Sequence, residues 1–485
     1  MKSITRRDFV KSSIAMGAAM AAPFSKARGA NGDIRVGVVG FRGKGRHHIE
    51  MLRENPGVRI AALCDADREV IDSQVKQFKE RNEAVKTYVD IRKLLDDDSI
   101  DAIVTATPNH WHALLTIWAC QAGKDVYVEK PVSHNIWEGR KMVEAARKYR
   151  RIVQTGTQSR SGVAPAEAFK YIHEGNLGKI LVARGFCYKR RTSIGKVKGP
   201  QALPESIDYN IWTGPAPLKP LMREQLHYDW HWVWDTGNGD IGNQGVHEMD
   251  LCRWALGQDK LPPRVMSIGG RFGYDDDGET ANTQIAIFDY KPAPLIFEVR
   301  GLPNKKPVEN ERGAMDNYRG VRVGVVIECE NGYYAGGGGG GWIYDNNHNK
   351  VKQFVGGGRD QHQANFFEAV RSRKVSDLNA DILEGHLSSG LCHMANISYR
   401  LGAAASQGQI RDALQGNKAA MDSLERFEQH MAANEIDLKK ALTTLGAWLT
   451  MDTEKEQFVG EWPAFWANEL LTRPYRKPFV VPENV

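Results

Sequence analysis

Only six cysteines occur in 485 residues, and Cys64, Cys120, Cys187, Cys252, Cys329 and Cys392 lie far apart. They form no C-x-x-C pair and no Cys/His cluster at metal-ligand spacing, so neither a disulfide framework nor a metal site is expected. Free, mostly buried thiols are the expectation. Long apolar runs are also missing: no stretch past the leader approaches the ~20 residues of a membrane span, and no membrane anchor is expected. The chain holds no Ser–His–Asp order, nucleophile elbow, H-E-x-x-H motif or P-loop with its lysine. Charge of one sign is scarce as well. Of the formal net charge of +6, a net +4 belongs to the first 27 residues, where Lys2, Arg6, Arg7, Lys11 and Lys26 face only Asp8. With no basic run or basic–aromatic stripe elsewhere, nucleic acid is not an expected partner.

The front of the chain carries the sharpest short signal. Thr5-Arg6-Arg7-Asp8-Phe9-Val10-Lys11 leads into Ser12–Phe24, a mildly apolar run rich in Ala and Met. That run is too short for a stable anchor, and Ser25-Lys26-Ala27 supplies the small residues of a cleavage site. Paired arginines in this setting predict a twin-arginine signal peptide and leader over residues 1–30, and export of the folded protein to the periplasm.

Between Ile34 and Thr155 short β-rich runs alternate with helical periods, which predicts an α/β domain with a doubly wound parallel sheet over residues 33–155. The rhythm then changes. Longer β-like runs at Ile180–Tyr188, Arg264–Phe272, Thr283–Tyr290, Leu295–Gly301, Val321–Glu328 and Val351–Val355 predict a second, α+β domain over 156–402. Its sheet is expected to be large and mostly antiparallel. Gly336–Gly341, unbroken glycine between Ala335 and Trp342, has no helix behind it and reads as a flexible hairpin loop. Helical periodicity returns at Gln363–Arg373 and Glu384–Arg400, and residues 403–485 read as a helical and extended tail.

Val36-Gly37-Val38-Val39-Gly40-Phe41-Arg42-Gly43-Lys44-Gly45 sits where a first strand turns into a first helix. A Rossmann domain needs glycines there for a tight turn, for close approach of pyrophosphate to backbone N–H groups and for helix–strand packing. Gly40 and Gly45 match the first and third glycines of G-x-G-x-x-G, while Arg42 stands at the second. Gly43 is expected to take up the special backbone angles, and Arg42 to approach phosphate. Asp65, at the end of the second strand, suits the adenine-ribose hydroxyls and favours NAD; Arg68 nearby keeps NADP open.

Asp125–Val128 is a strand ending in Glu129-Lys130-Pro131, at the edge where such sheets bind ligands. A lysine there can hydrogen-bond a reacting hydroxyl and favour its alkoxide character during hydride loss. This run resembles the signature of the glucose–fructose oxidoreductase / inositol dehydrogenase (Gfo/Idh/MocA) family. Thr105-Ala106-Thr107-Pro108-Asn109-His110-Trp111-His112 is similar to that family's T-P-x-x-x-H loop, which lies over the cofactor. The resemblance covers Asp33 to Gly402. It implies a Rossmann domain followed by an open-sheet domain, with substrate held between them over the nicotinamide. It also implies Thr107, Pro108, Asn109, His112, Glu129 and Lys130 as cofactor contacts.

Gly237-Asn238-Gly239-Asp240-Ile241-Gly242-Asn243-Gln244-Gly245-Val246-His247-Glu248-Met249-Asp250 resembles the family's glycine-led stretch ending D-x-G-x-H-x-x-D. His247 falls on the catalytic histidine, suited by its pKa range to move the hydroxyl proton. Asn243 falls where many family dehydrogenases have aspartate; an amide cannot raise the basicity of His247 but can bind a sugar hydroxyl. Asp250 orients a side chain or caps. Gln158 and Arg160, just past the domain crossing, are expected to touch nicotinamide or substrate. The aromatic loop His227–Trp234 offers Asp229, His231 and Trp232 to a sugar ring. Arg253, Trp254, His386 and His393 read as structural.

These expectations converge on an exported, NAD(P)-dependent oxidoreductase acting on a secondary hydroxyl or ketone of a sugar, cyclitol or glycoside. The periplasm is not expected to supply free nicotinamide nucleotide, so the cofactor should load before export and stay tightly bound. Two alternatives stand beside this reading: an NAD-dependent glycosidase working through transient oxidation and elimination, and a non-catalytic dinucleotide-sensing protein. The family resemblance implies a homo-oligomer, dimer or tetramer.

Overall fold

The computed structural model describes residues 32–308 and 312–485, so the paired arginines and their leader lie outside the described residues. Strands β1 (Ile34–Val39), β2 (Val58–Cys64), β3 (Lys86–Tyr88), β4 (Ala102–Thr105), β5 (Asp125–Val128) and β6 (Val153–Thr155) form one parallel sheet. Their order is β3-β2-β1-β4-β5-β6. Helices lie on both faces of this sheet, which explains the near-continuous apolar run of β1. Asp67 and Asn135 start the helices Arg68–Glu80 and Ile136–Lys148, their side-chain oxygens accepting the N–H groups of Glu69 and Glu138. The strand order reverses between β1 and β4. The crevice beyond the C-terminal ends of the strands at such a point is where these sheets take ligands, and the loops after β1, β2, β4 and β5 all open there.

The second sheet has twelve strands: β7 (Ile180–Tyr188), β8 (Arg264–Gly270), β9 (Thr283–Phe288), β10 (Leu295–Arg300), β11 (Val323–Cys329), β12 (Gly332–Gly337), β13 (Gly340–Tyr344), β14 (Lys350–Val355), β15 (Ala403–Ala405), β16 (Thr443–Leu445), β17 (Leu449–Asp452) and β18 (Gln457–Val459). Every pairing is antiparallel except β7 with β10. The expected fold class, a Rossmann domain beside a large, mostly antiparallel sheet, is what the chain forms. The glycine run corrects one expectation: its residues belong to β12 and β13, and only Gly338 and Gly339 make the turn. Close approach explains the composition, since a Cβ on Gly336 would lie 2.4 Å from the Gly340 carbonyl oxygen and one on Gly341 2.4 Å from that of Ala335.

All six cysteines are buried and unpaired. Among the described residues no helix is long and apolar enough to cross a membrane. The long helix Ile382–Arg400 lies between the two sheets, packing on both the helix Ile136–Lys148 and β8. His386 and His393 on it are buried, the first against Glu456 at 2.9 Å and the second against Ser133 at 3.2 Å.

Residues beyond 402 are threaded through both lobes. β15 to β18 extend the second sheet, and the helix Lys418–Ala433 covers one of its faces with Leu424, Phe427 and Met431. The last residues return to the Rossmann lobe. Tyr475 donates to Glu138 at 2.9 Å, and Phe479 is fully buried edge-on to Trp111 with ring centres 5.5 Å apart. Arg476 and Arg92 sit over the Phe479 ring at 4.8 and 5.2 Å. Truncation of a buried Phe costs ~3–5 kcal/mol. Phe479→Ala should therefore lower the unfolding free energy read by urea titration by an amount in that range; an unchanged free energy would show that the tail merely rests there.

Candidate active site

Gly40, directly after β1, has a φ of +72°, and a Cβ on it would meet the backbone of Thr107 at 2.9 Å. A Cβ on Gly45 would stand 2.0 Å from the Gly40 carbonyl oxygen. Both positions exclude any side chain. Gly43 differs from expectation: its φ is −106° and the space around it is open, because Gly40 alone makes the left-handed turn. Arg42 is exposed on the rim at the position of the second fingerprint glycine. The helix Lys44–Arg53 starts with no side-chain cap. Its first N–H groups and the positive end of its dipole are thus left to an anion.

A cavity of about 320 Å³ follows this loop, with Gly40, Arg42, Asp65, Thr107 and Pro108 on one side and Tyr228 and His231 on the other. Asp65 accepts from the N–H groups of Phe41 at 3.2 Å and Asp67 at 3.0 Å. Burial pushes its carboxyl up to about 6, against those two hydrogen bonds. A hydroxyl pair donating to Asp65 would satisfy it, and a phosphate there would be repelled. Arg68 lines a different depression with Asp72 and Asp90, which leaves the cavity suited to NAD rather than NADP. Glycine cradle, uncapped helix end and Asp65 together fit a dinucleotide. Among the described residues no group of His, Cys, Asp and Glu could hold a metal ion.

Beneath the loop after β5, Glu129 is buried between His48 at 3.0 Å and the Gln158 amide at 2.9 Å. Burial opposes its charge, yet the His48 hydrogen bond and charge, with Lys44 and Lys130, hold its carboxyl well below the usual range. Gly156 presses on it so closely that a Cβ would lie 2.7 Å from the carboxylate. Glu129 and Gln158, expected as cofactor contacts, are spent on each other; Gln158 also donates to the Tyr127 hydroxyl at 3.0 Å. Two further cofactor expectations change in the same way. Asn109 is buried and donates to Asn238 at 3.0 Å. His112 is buried between the carbonyl oxygens of Pro131 at 2.6 Å and Thr107 at 2.8 Å, so it ties two cofactor loops together.

Lys130, joined to Pro131 by a cis peptide bond, turns its ammonium toward the second lobe and donates to the Asn243 carbonyl oxygen. Burial pushes its pKa down, with Glu129, Glu248 and Asp240 opposing. His247 opens the helix Gly245–Ala255 half-buried, with Nδ1 enclosed and unpartnered. Burial and then the nearby Lys130 charge lower its pKa to about 3, so the ring is neutral at physiological pH. Lys130 is thus bonded to the backbone four residues before His247, near enough for its charge to act on the ring.

The second-lobe expectations divide. His231 stacks on Trp230 with ring centres 3.6 Å apart and borders the dinucleotide cavity. Asp229 and Trp232 line a separate cleft. Arg160, expected at the substrate, grips Asp250 with two nitrogens at 2.9–3.1 Å and reaches Glu384 at 3.0 Å. Asp250 is consequently held by Arg160 and Ser388, not by His247. Three neighbours escaped the sequence reading. Lys189 donates to Gln244 at 3.3 Å, and Gln244 donates to Glu248 at 3.0 Å, one turn along the helix that carries His247. The i, i+4 spacing of Gln244 and Glu248 was the available signal; the pairing with Lys189 comes only from the fold.

Two predictions follow from this geometry. Gly45→Ala should weaken NAD binding at least about tenfold (~1.4 kcal/mol) in a calorimetric titration, while Gly43→Ala stays near wild type; equal affinities would refute the cradle. Burial pushes the Glu248 carboxyl up to about 8, against Gln244, Lys130 and Lys189. A raised carboxyl pKa gives stability present below the ordinary carboxylate range and lost as pH rises through 8. Glu248→Gln should therefore gain over wild type in melting temperature as pH rises through that window, and a pH-independent difference would contradict the assignment.

Comparison with known proteins agrees with this geometry. Residues 34–157 match the model of the oxidoreductase family with the NAD-binding Rossmann fold, and residues 167–291 match the same family's C-terminal alpha/beta domain. Among curated relatives, Glycosyl hydrolase family 109 protein 1 of Shewanella sp. (strain ANA-3) is 29% identical over 153 residues, 30% of this chain and 33% of the relative. Alpha-N-acetylgalactosaminidase of Shewanella oneidensis is 28% identical over the same length. The chain thus spans about a third of these relatives. Among solved structures, the WlbA dehydrogenase of Bordetella pertussis in complex with NADH and UDP-GlcNAcA shares the fold with TM-score 0.55 at 18% identity, covering 76% of this chain and 97% of that one. A levoglucosan dehydrogenase in complex with NADH gives TM-score 0.55 at 18% identity over 75% and 95%. Two adjoining domain matches, on a fold with the glycine cradle and Glu-Lys-Pro strand end in place, make this chain an NAD-binding member of the Gfo/Idh/MocA oxidoreductase family.

Proposed function

We propose that the protein is an exported oxidoreductase that holds NAD tightly and interconverts a secondary alcohol and ketone on a sugar, cyclitol or glycoside. The observation that carries this reading is the bond from Lys130 to the Asn243 carbonyl oxygen, four residues before a neutral His247 that feels the lysine's charge. NAD, when bound, supplies the two-electron acceptor for a hydride from the carbinol carbon. His247 takes the hydroxyl proton as the C–O bond becomes a carbonyl, and Lys130 donates a hydrogen bond to that oxygen. The reverse sequence returns proton and hydride to a ketone. Asn243, whose backbone holds Lys130, offers its amide to a neighbouring hydroxyl.

Export to the periplasm is supported by the Arg6-Arg7 leader. Self-association is supported by the exposed aromatic cluster of Trp462, Phe465 and Trp466, which are 73%, 64% and 51% exposed. The curated glycosidase relatives favour a second reading, a redox-neutral cycle that oxidises, eliminates, hydrates and re-reduces a glycoside.

Lys130→Met and His247→Asn should each lower turnover by about 10²–10⁴-fold while NAD affinity, measured by titration, changes little. Loss of NAD binding with turnover per bound cofactor intact would refute their roles. Aryl glycosides separate the two readings: aglycone release with no net change in bound reduced nicotinamide identifies the glycosidase cycle, and stoichiometric reduction identifies the dehydrogenase.

A further inference from the structure

Next to the dinucleotide cavity lies a second cleft of about 600 Å³ at the end of β7, and Tyr228 borders both. Its walls are unusually basic for a sugar site. Among the described residues that line it, Lys189, Arg190, Arg191, Arg312 and Arg322 contribute five cations, whereas Asp229 is the single carboxylate. Among the described residues most of this charge has no carboxylate partner. Arg191 is paired with buried Asp240 at 2.6 Å. Lys189 reaches only the neutral Gln244, Arg190 bonds the Arg312 carbonyl oxygen, and Arg322 is exposed with no carboxylate partner among the described residues.

The cleft is wired to the reacting groups. Arg191 holds Asp240 on the short helix Gly239–Asn243, whose last residue receives Lys130. Lys189 holds Gln244, the residue before the helix of His247. Lys189 thus joins the cleft wall to a residue three positions before His247. Like charges gathered around a cavity repel one another and are relieved by an anion, and they also draw that anion in from solution. Trp232, buried beneath Arg191 at 5.5 Å, gives the cleft an apolar floor that keeps the field from being fully screened by water.

From this we infer that the cleft binds an anionic substituent, a carboxylate, sulfate or phosphate, on the carbohydrate whose neutral part reaches His247. The inference rests on the oxidoreductase reading for the identity of the ligand as substrate, but the binding site itself stands apart from turnover. It makes Lys189 and Arg322 specificity residues and gives them no part in proton or hydride movement.

The test is calorimetric binding to the full-length, NAD-loaded protein of matched probes: methyl glucoside, methyl glucuronide, and sulfated and phosphorylated glucose. The expected result is that at least one anionic probe binds about tenfold or more tighter than methyl glucoside, with an advantage that shrinks as salt is raised. Arg322→Gln should reduce that advantage severalfold and leave methyl glucoside binding unchanged, Lys189→Gln should reduce it as well, and Lys374→Gln, an exposed cation elsewhere, should have no effect. Comparing the three anionic arms assigns the substituent. Neutral and charged probes binding alike, no anionic probe binding, or variants without effect would each overturn the inference. An anionic probe that binds with this dependence but never reduces the cofactor supports the cleft while overturning the oxidoreductase reading; oxidation of neutral sugars with no preference for charge does the opposite.

Discussion

The bond from the Lys130 ammonium to the Asn243 carbonyl oxygen is the contact on which the rest of the site depends. It joins the end of β5 in the Rossmann lobe to the start of the helical turn that presents His247. A half-buried ammonium needs a support of opposite charge. Glu129 provides it from below, buried and kept ionised by His48. His48 in turn bonds Gln363 at 2.6 Å, on the helix His362–Ser372 that follows the second sheet. The lysine is therefore aimed by a chain of buried partners from both lobes. Burial keeps His247 and His231 neutral, and the same positive charge adds to that effect.

That aim requires the lobes to keep a fixed relation. The helix Ile382–Arg400 packs against both, and the C-terminal segment crosses back to bury Phe479 against Trp111. Arg473 connects Glu138 of the first lobe at 3.3 Å with the Asp235 carbonyl oxygen of the second at 2.9 Å. The buried Arg160–Asp250–Ser388 cluster anchors the catalytic helix from behind. Removing one partner of such a buried pair costs ~3–5 kcal/mol, because the other charge is left unpaired.

Much of this was legible from residue order alone. Alternating strands and helices up to Thr155, Gly40 with Gly45, Asp65 and Glu129-Lys130-Pro131 announced a dinucleotide fold, because local period and backbone sterics are written in adjacent residues. The same reading placed β8 to β11 and β14 to within a few residues. It failed where long-range pairing decides. The glycine run became two strands through contact of backbones across the hairpin, a packing requirement with no sequence period. Arg160 looked free for substrate because its partner Asp250 is ninety positions away. Asn109, Glu129 and Gln158 had the right neighbours for cofactor contact, but their side chains turn inward to one another's loops. The basic cleft was invisible for a related reason: Lys189 directly follows β7 and Arg322 directly precedes β11, strands that adjoin only in the folded sheet.

The account stands or falls on a nicotinamide whose reactive end meets Lys130 and His247. Its most direct test is the near-ultraviolet absorbance of the purified, NAD-loaded protein as a panel of neutral and anionic sugars is added. The predicted result is stoichiometric appearance of reduced nicotinamide with one class of sugar, abolished in His247→Asn. A protein that takes up no NAD, or one whose spectrum responds identically with and without His247, would contradict it.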